Sequence, residues 1–382
     1  MKRIDHLLEP TQLGMRRTVT SFHYAMGDGR GGGEKAYLQA SLHADELPGM
    51  LVMHHLKRLL DEAEAAGRMR GTVVLVPVAN PIGLAQGLLH GRIGRFEAAT
   101  GENFNRGYPD YLSAITPSVE ARLGADAVAN RAVIRAAMRA HIDGVVPATE
   151  LACLRKTLSS LACDADVVMD LHCDLEAVLH LYCESPYWPQ CEPLARLLGV
   201  EATLLAKNSG GASFDEHLSG PWWQLDERLE RSRGAGHPAI PMACMAVTVE
   251  LRGQADVDHA LAAGDALALF RFLVHRGLIA DDGVPVALPA LRNEPTPLSG
   301  SEDLRAPHAG VVAFLRQPGD RIAAGDAVAE VVDPLAGIAT RVHARFGGLL
   351  YARALRRYVG PGDSLAHVAG TVPFRTGNLL SP

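Results

Sequence analysis

Tyr37-Leu-Gln-Ala-Ser-Leu42, then His43-Ala-Asp-Glu46, then Leu47-Pro48-Gly49-Met50, is the stretch on which the fold turns. The first six residues read as a short apolar strand and the next four as a polar break. Proline suits a helix's first turn, and Pro48-Gly49 opens an amphipathic helix through Met50, Leu51, His54, Leu56 and Leu59 that ends near Gly67. Val73 to Val78 is a second strand, closed by the turn signal Asn80-Pro81. Leu151 to Leu161 has helical period, Val167 to Leu171 and Ala246 to Leu251 are further strands, and Val257 to Val274 is a long Ala/Leu-rich helix. Strands separated by helices predict an α/β fold with a doubly wound, mostly parallel mixed sheet. Such folds place their sites at the carboxyl ends of strands.

After Gly283 the character changes. Pro285, Pro289, Pro295 and Pro297 are followed by short β-rich runs at Gly310–Leu315, Ala327–Val332, Ile338–Val342 and Gly348–Tyr351, separated by turn residues. The pattern predicts residues 1–285 as one domain and residues 286–382 as a small all-β, barrel-like domain.

The 382 residues are 48% hydrophobic and 21% charged, which suits a folded protein with a sizeable core and excludes a disordered or fibrous chain. A formal charge of −6 gives no electrostatic reason to expect nucleic acid or an anionic membrane as partner. The longest uncharged stretch, Gly71 to Gly91, approaches the roughly 20 residues of a membrane span, but Pro77, Asn80, Pro81, Gln86 and His90 interrupt it. Met1 to Pro10 carries charges and no apolar core, so no signal peptide is expected. Six cysteines without a CxxC pair suggest free thiols, and the expected location is cytoplasmic.

A His and a Glu three apart on a turn after a strand can face one cation, since imidazole nitrogen and carboxylate oxygen are both zinc ligands. His6 and Glu9 share this spacing with His43 and Glu46, but they lie in a polar N-terminal segment. A second strand end, Val167-Val-Met-Asp-Leu-His172, supplies a third ligand. His43, Glu46 and His172 would form a two-histidine, one-carboxylate set with a place open for water, the arrangement of catalytic zinc. Proton transfer then needs a base, and Glu250 is the one carboxylate in the apolar strand Met245-Ala-Val-Thr-Val-Glu-Leu-Arg252. The bland alternative pairs Glu250 with Arg252 on an edge strand. Between these segments lies the glycine-punctuated loop Gly94 to Arg106, whose two arginines and two asparagines suit a carboxylate held by paired hydrogen bonds.

His43-x-x-Glu46, Arg95 with Asn103-Phe-Asn105-Arg106, Asp170-Leu-His172 and Glu250 occur in this order, and in this the chain resembles the succinylglutamate desuccinylase/aspartoacylase family of the zinc carboxypeptidase superfamily. The resemblance covers essentially the whole chain, because a small C-terminal β-domain is also typical there. It implies one zinc per chain on His43, Glu46 and His172, and Glu250 as general base. It also implies that Arg95 polarises the scissile carbonyl and that Asn105 and Arg106 bind a substrate carboxylate. The implied activity is deacylation of a small N-acylated amino acid or related amide, with a homo-oligomer left open. Where relatives commonly have an Asp orienting the first zinc histidine, this chain has Asn103, which can accept the same hydrogen bond without adding charge. A metallocarboxypeptidase and a non-catalytic binding protein on the same fold are the alternatives. Lys207, the Asn208–Asp215 loop and Trp222-Trp223 are candidates for lining the pocket, or for packing.

The C-terminal residues Ala306–Val312 and Pro318–Asp326 look like the barrel of biotinyl and lipoyl carriers, which need a modified lysine at a hairpin tip. No lysine follows Lys207, and the corresponding tip reads Asp333-Pro334-Leu335, so a carrier role is excluded. Walling the site entrance or an oligomer interface is the expected use of this region.

Overall fold

The computed structural model describes residues 1–25, 33–283 and 285–380. Among them a nine-stranded sheet runs, edge to edge, Lys2–Leu7, Thr18–Tyr24, Thr72–Val76, Lys35–Ala40, Val167–Asp174, Met245–Gly253, His180–Glu184, Ala202–Ala206 and Thr296–Pro297. Neighbours from Thr72–Val76 to Met245–Gly253 pair in parallel, as do the last three strands. The N-terminal hairpin, its junction with Thr72–Val76, and the junction of Met245–Gly253 with His180–Glu184 are antiparallel. The sheet is therefore mixed and mostly parallel.

Alternation along the central strands feeds two cores. Ala36, Leu38 and Ala40, with Val167, Met169, Leu171, Met245, Val247 and Val249, belong to the core that also takes residues of helices Pro48–Ala65, Trp188–Leu198 and His259–His275. Tyr37, Val168 and Ala246 point the other way, to helices Tyr111–Val119, Ala127–Gly144, Glu150–Ala162 and Phe214–Arg233. On this second face the side chains become polar toward the strand ends. Gln39 lies beside Asp170, Asp170 beside Thr248, and His172 beside Glu250. A period of two makes those neighbours share a face.

The sequence expectations hold for these central elements, with shifts at their ends. The first strand stops at Ala40 rather than Leu42, because Ser41 takes a left-handed conformation (φ 65°) that turns the chain before His43. The polar N-terminus is a hairpin whose first strand forms the edge of the sheet, and in it the His6 ring sits 2.8 Å from Ser21 Oγ. Glu250 does not lie on an edge: its strand has a partner on each side, and Arg252 makes a two-pronged pair with Asp265 instead (2.8 and 3.0 Å).

The C-terminal region is antiparallel throughout. One sheet holds Ser301–Arg305, Arg321–Ile322, Gly348–Arg353 and Ser364–Ala369; the other holds Gly310–Phe314, Ala327–Asp333, Ile338–His343 and Tyr358–Val359. Thr296–Pro297 still belongs to the large sheet, so the antiparallel region proper begins at Ser301. The two halves also interlock: Glu176–Ala177 pairs with Gly348–Arg353, and Glu176 takes ion pairs from Arg353 and Arg357 (2.6 and 2.5 Å). No described helix is long and apolar enough to cross a membrane.

The second core closes around a neutral histidine. His217 donates from Nδ1 to the Pro109 carbonyl (2.7 Å) and accepts at Nε2 from Ser159 Oγ (3.0 Å), and burial holds its pKa down to about 4. The unfolded chain takes up this proton near 6.5, so between there and pH 4 it binds more protons than the native state. Stability should therefore fall as pH drops through that window, by about 3 kcal/mol from this group when the window is fully crossed. His217→Gln, which stays uncharged, should flatten the slope of unfolding free energy against pH in urea titrations. A slope equal to wild type would show that His217 is not held neutral.

Candidate metal centre and active site

His43 and Glu46 come from the turn after Lys35–Ala40, and His172 from the strand Val167–Asp174 beside it. The three side chains are almost closed to solvent, at 3%, 4% and 2% exposure. Glu46 stands between the two rings, with Oε1 2.9 Å from His43 Nδ1 and Oε2 2.7 Å from His172 Nδ1. One ligand atom from each residue falls within 4.8 Å of the others, a spacing that can hold a metal ion. Among the described residues this is the one such group, and His6 and Glu9 form none.

Each histidine is braced from behind. Asn103 Oδ1 lies 2.9 Å from His43 Nε2 and also accepts the Asn105 backbone N–H at 2.8 Å. A backbone amide can only donate, so the atom facing it is the oxygen, and His43 must present Nε2–H to that same oxygen. A neutral His43 then turns its Nδ1 lone pair toward the same point as the Glu46 carboxylate, as two metal ligands do, and the Arg95 guanidinium lies near both atoms (3.3 and 3.4 Å). Behind His172, Asp170 Oδ2 lies 3.0 Å from Nε2. Such outer contacts fix ring orientation and ligand basicity. The residues present therefore fit a metal ion.

The charges respond accordingly. Burial pushes His43 down to about 4, against the pull of Glu46. Burial disfavours charge on His172 too, but Asp170 and Glu46 prevail and hold it well above the ordinary range. Burial would raise the Glu46 carboxyl, and His43 and His172 overcome it and hold it well below the usual range.

Glu250 comes up beside His172 in register. Its Oε2 is shut from solvent and has no hydrogen-bond partner among the described residues, and burial, aided by the charge of Glu46, pushes its pKa well up. The Gly94–Arg106 loop is pinned by the Phe96–Asn103 bridge and by Phe104, which is fully buried in the second core. It lays the Arg95 guanidinium over the ligands, 3.3 Å from His43 Nδ1 and 3.4 Å from Glu46 Oε1. Arg106 lies half-buried beyond, close enough that the two cations act on one another. Asn105 is buried, with its Oδ1 taken by the Phe214 N–H (2.8 Å) and its Nδ2 3.4 Å from His172 Nε2. All seven expected residues thus gather in one region.

Other candidates divide. Trp222 is fully buried and Trp223 bonds Glu184 through Nε1 (2.8 Å), so both serve packing on helix Phe214–Arg233. Lys207 pairs with Glu227 and lies over the Trp223 ring. Asp170 received no role in the sequence reading, though its place two residues before His172 on a strand puts both on one face.

The catalytic-domain model of the succinylglutamate desuccinylase/aspartoacylase family matches residues 32–276. The chain belongs to this family. Family membership makes it one of a group of deacylating hydrolases, and this chain itself carries a candidate His-Glu-His metal site. The structure is similar to succinylglutamate desuccinylase/aspartoacylase family proteins of Shewanella amazonensis (27% identity, 97% of this chain and 98% of that chain, TM-score 0.83) and Shewanella frigidimarina (25%, 97% of each chain, TM-score 0.83). The product-bound ectoine utilization protein of Ruegeria pomeroyi shares the fold at 18% identity (93% of this chain, 90% of that chain, TM-score 0.65). A search of the curated proteins finds no match.

Replacing His43 with Ala should strip the bound metal from this family member, whereas His6→Ala should leave it in place. Elemental analysis of the purified variants decides this, and equal metal content in the two would remove the centre.

Proposed function

We propose that this protein is a zinc-dependent amidohydrolase that deacylates a small N-acylated amino acid or related amide, with one zinc held by His43, Glu46 and His172. The convergence of two Nδ1 atoms on one carboxylate, each ring braced at Nε2, carries this reading. When bound, the zinc supplies a Lewis acid for the scissile carbonyl and lowers the pKa of a water.

The chain's own groups do the rest. Glu250, on the strand beside His172, takes a proton from the attacking water at its unpartnered Oε2 and returns it to the departing amine nitrogen. The water oxygen ends on the acyl carbon, the C–N bond breaks, and the products are a carboxylate and an amine. Arg95, already over the ligand cluster, turns toward the carbonyl oxygen as negative charge builds there. Arg106 binds a carboxylate of the substrate, with the Nδ2 face of Asn105 beside it. Burial and then the charge of Arg95 disfavour the Arg106 cation while Asp215 and Glu216 support it, and a substrate carboxylate beside the two arginines would add to that support.

A hydrolysis screen over N-acetyl, N-formyl and N-succinyl amino acids, with and without zinc, tests the activity; cleavage only of C-terminal peptide residues would turn the reading to a carboxypeptidase. Glu250→Gln should lower kcat by roughly 10²- to 10⁴-fold with zinc retained, and wild-type turnover in this variant would sink the mechanism. Arg106→Ala should raise KM for an anionic substrate with kcat little changed; an unaltered KM would remove its role in carboxylate binding.

A further inference from the structure

Arg106 does not lie on open surface. Its side chain crosses the bare backbone of Gly211, where a Cβ would stand 2.8 Å from Nε and 3.0 Å from Cδ. Gly211 belongs to the loop Asn208–Ser213, which is tied at three points. Ser209 N–H donates to Glu216 Oε1 (2.5 Å), Tyr108 N–H donates to the Ala212 carbonyl (3.2 Å), and Leu379 N–H donates to the Ser209 carbonyl (2.8 Å). The third tie comes from the far end of the chain.

At the preceding residue of the same loop, Gly210 (φ 90°) faces Asn378, whose Cα would lie 3.0 Å from a Cβ there. Two adjacent glycines thus let one loop meet both Arg106 and the C-terminal tail closely. The tail itself is firmly held. Phe374 and Arg375 N–H both donate to the Ser299 carbonyl (3.0 Å each), Phe374 stacks on Phe346, and Arg375 reaches the carbonyls of Ser301 (3.3 Å) and Leu379 (2.6 Å). Leu379 and Leu380 pack with Leu204, Leu298 and Tyr351, where the two halves of the molecule meet.

We propose that the tail, residues 374–380, is a positioning element for substrate affinity: through Leu379 and Asn378 it presses the Asn208–Ser213 loop against Arg106 and so sets how tightly the substrate's anionic end is gripped. The inference rests on the carboxylate-binding reading of Arg106. It gives the C-terminal region a use that neither an entrance wall nor an oligomer interface describes. Gly211 and Leu379 touch no reacting atom and act through Arg106 alone, so their loss should appear in KM rather than in kcat or metal content.

The test uses the full chain, the fastest substrate found in the screen above, and the α-carboxamide of that substrate as uncharged control. Leu379→Pro deletes the N–H that holds the Ser209 carbonyl, Leu379→Ile keeps it, and Gly211→Ala displaces Arg106 directly without touching the tail. Leu379→Pro should raise KM for the anionic substrate about 3- to 10-fold and Gly211→Ala about 5- to 20-fold. In both, kcat should stay within twofold, zinc content unchanged and KM for the carboxamide unmoved, while Leu379→Ile behaves as wild type. A Leu379→Pro enzyme with wild-type KM, in a protein where Arg106→Ala raises it, overturns the tail's role and leaves the site intact. Equal effects on anion and carboxamide would overturn it as well, because they would mark general loosening. If Arg106→Ala itself leaves KM unchanged, the carboxylate reading fails and this inference falls with it.

Discussion

Glu46 is a carboxylate almost sealed from solvent, where its oxygens meet His172 Nδ1 (2.7 Å), the Cys173 backbone N–H (3.2 Å) and the Arg95 guanidinium (3.4 Å), with His43 Nδ1 turned to the same point. A charge at that depth costs several kcal/mol unless it is paired and hydrogen-bonded. The requirement reaches outward: the two rings must be held in place, so Asn103 and Asp170 stand behind them, and the Asn105 backbone amide orients Asn103. Residues from three separate stretches of chain are thereby committed to one point. A metal ion at its centre would take the His43 lone pair and the Glu46 carboxylate together, beneath the Arg95 guanidinium that lies near both.

The scaffold meets this demand by running parallel strands side by side with their ends level. Lys35–Ala40, Val167–Asp174 and Met245–Gly253 are neighbours, and each carries apolar side chains to both cores before turning polar at its carboxyl end. The left-handed Ser41 then swings His43 and Glu46 over the ends of those strands. The two arms of the site differ in character. His43 is backed by a neutral amide and His172 by a carboxylate, so the second histidine is the more basic ligand.

The central strands and helices were legible because their hydrophobic periods are strong and their ends carry Pro, Gly and Asn signals. His43, Glu46 and His172 were legible for the same reason, since they sit where such strands stop. The hairpin of Lys2–Leu7 and Thr18–Tyr24 was hidden, because its outer strand lies at the sheet edge and is polar in composition. Trp222 and Trp223 could line a pocket or pack, which sequence cannot distinguish since both uses favour large rings, and they pack. The alternative pairing of Glu250 with Arg252 was settled by Asp265, thirteen residues further along on the adjoining helix.

The sequence by itself determined which residue types stand at strand ends, the absence of a lysine for any carrier chemistry, and the order of the family's motifs. Those are local properties, written in spacing and side-chain chemistry. The tertiary structure alone decided that Asp170 braces His172 and that the Asn105 amide fixes the orientation of Asn103. It alone brought a C-terminal tail back across more than 160 residues to lie on the loop beneath Arg106. Each of these depends on strand register or on chain ends meeting, and such contacts leave no mark in any single stretch of sequence.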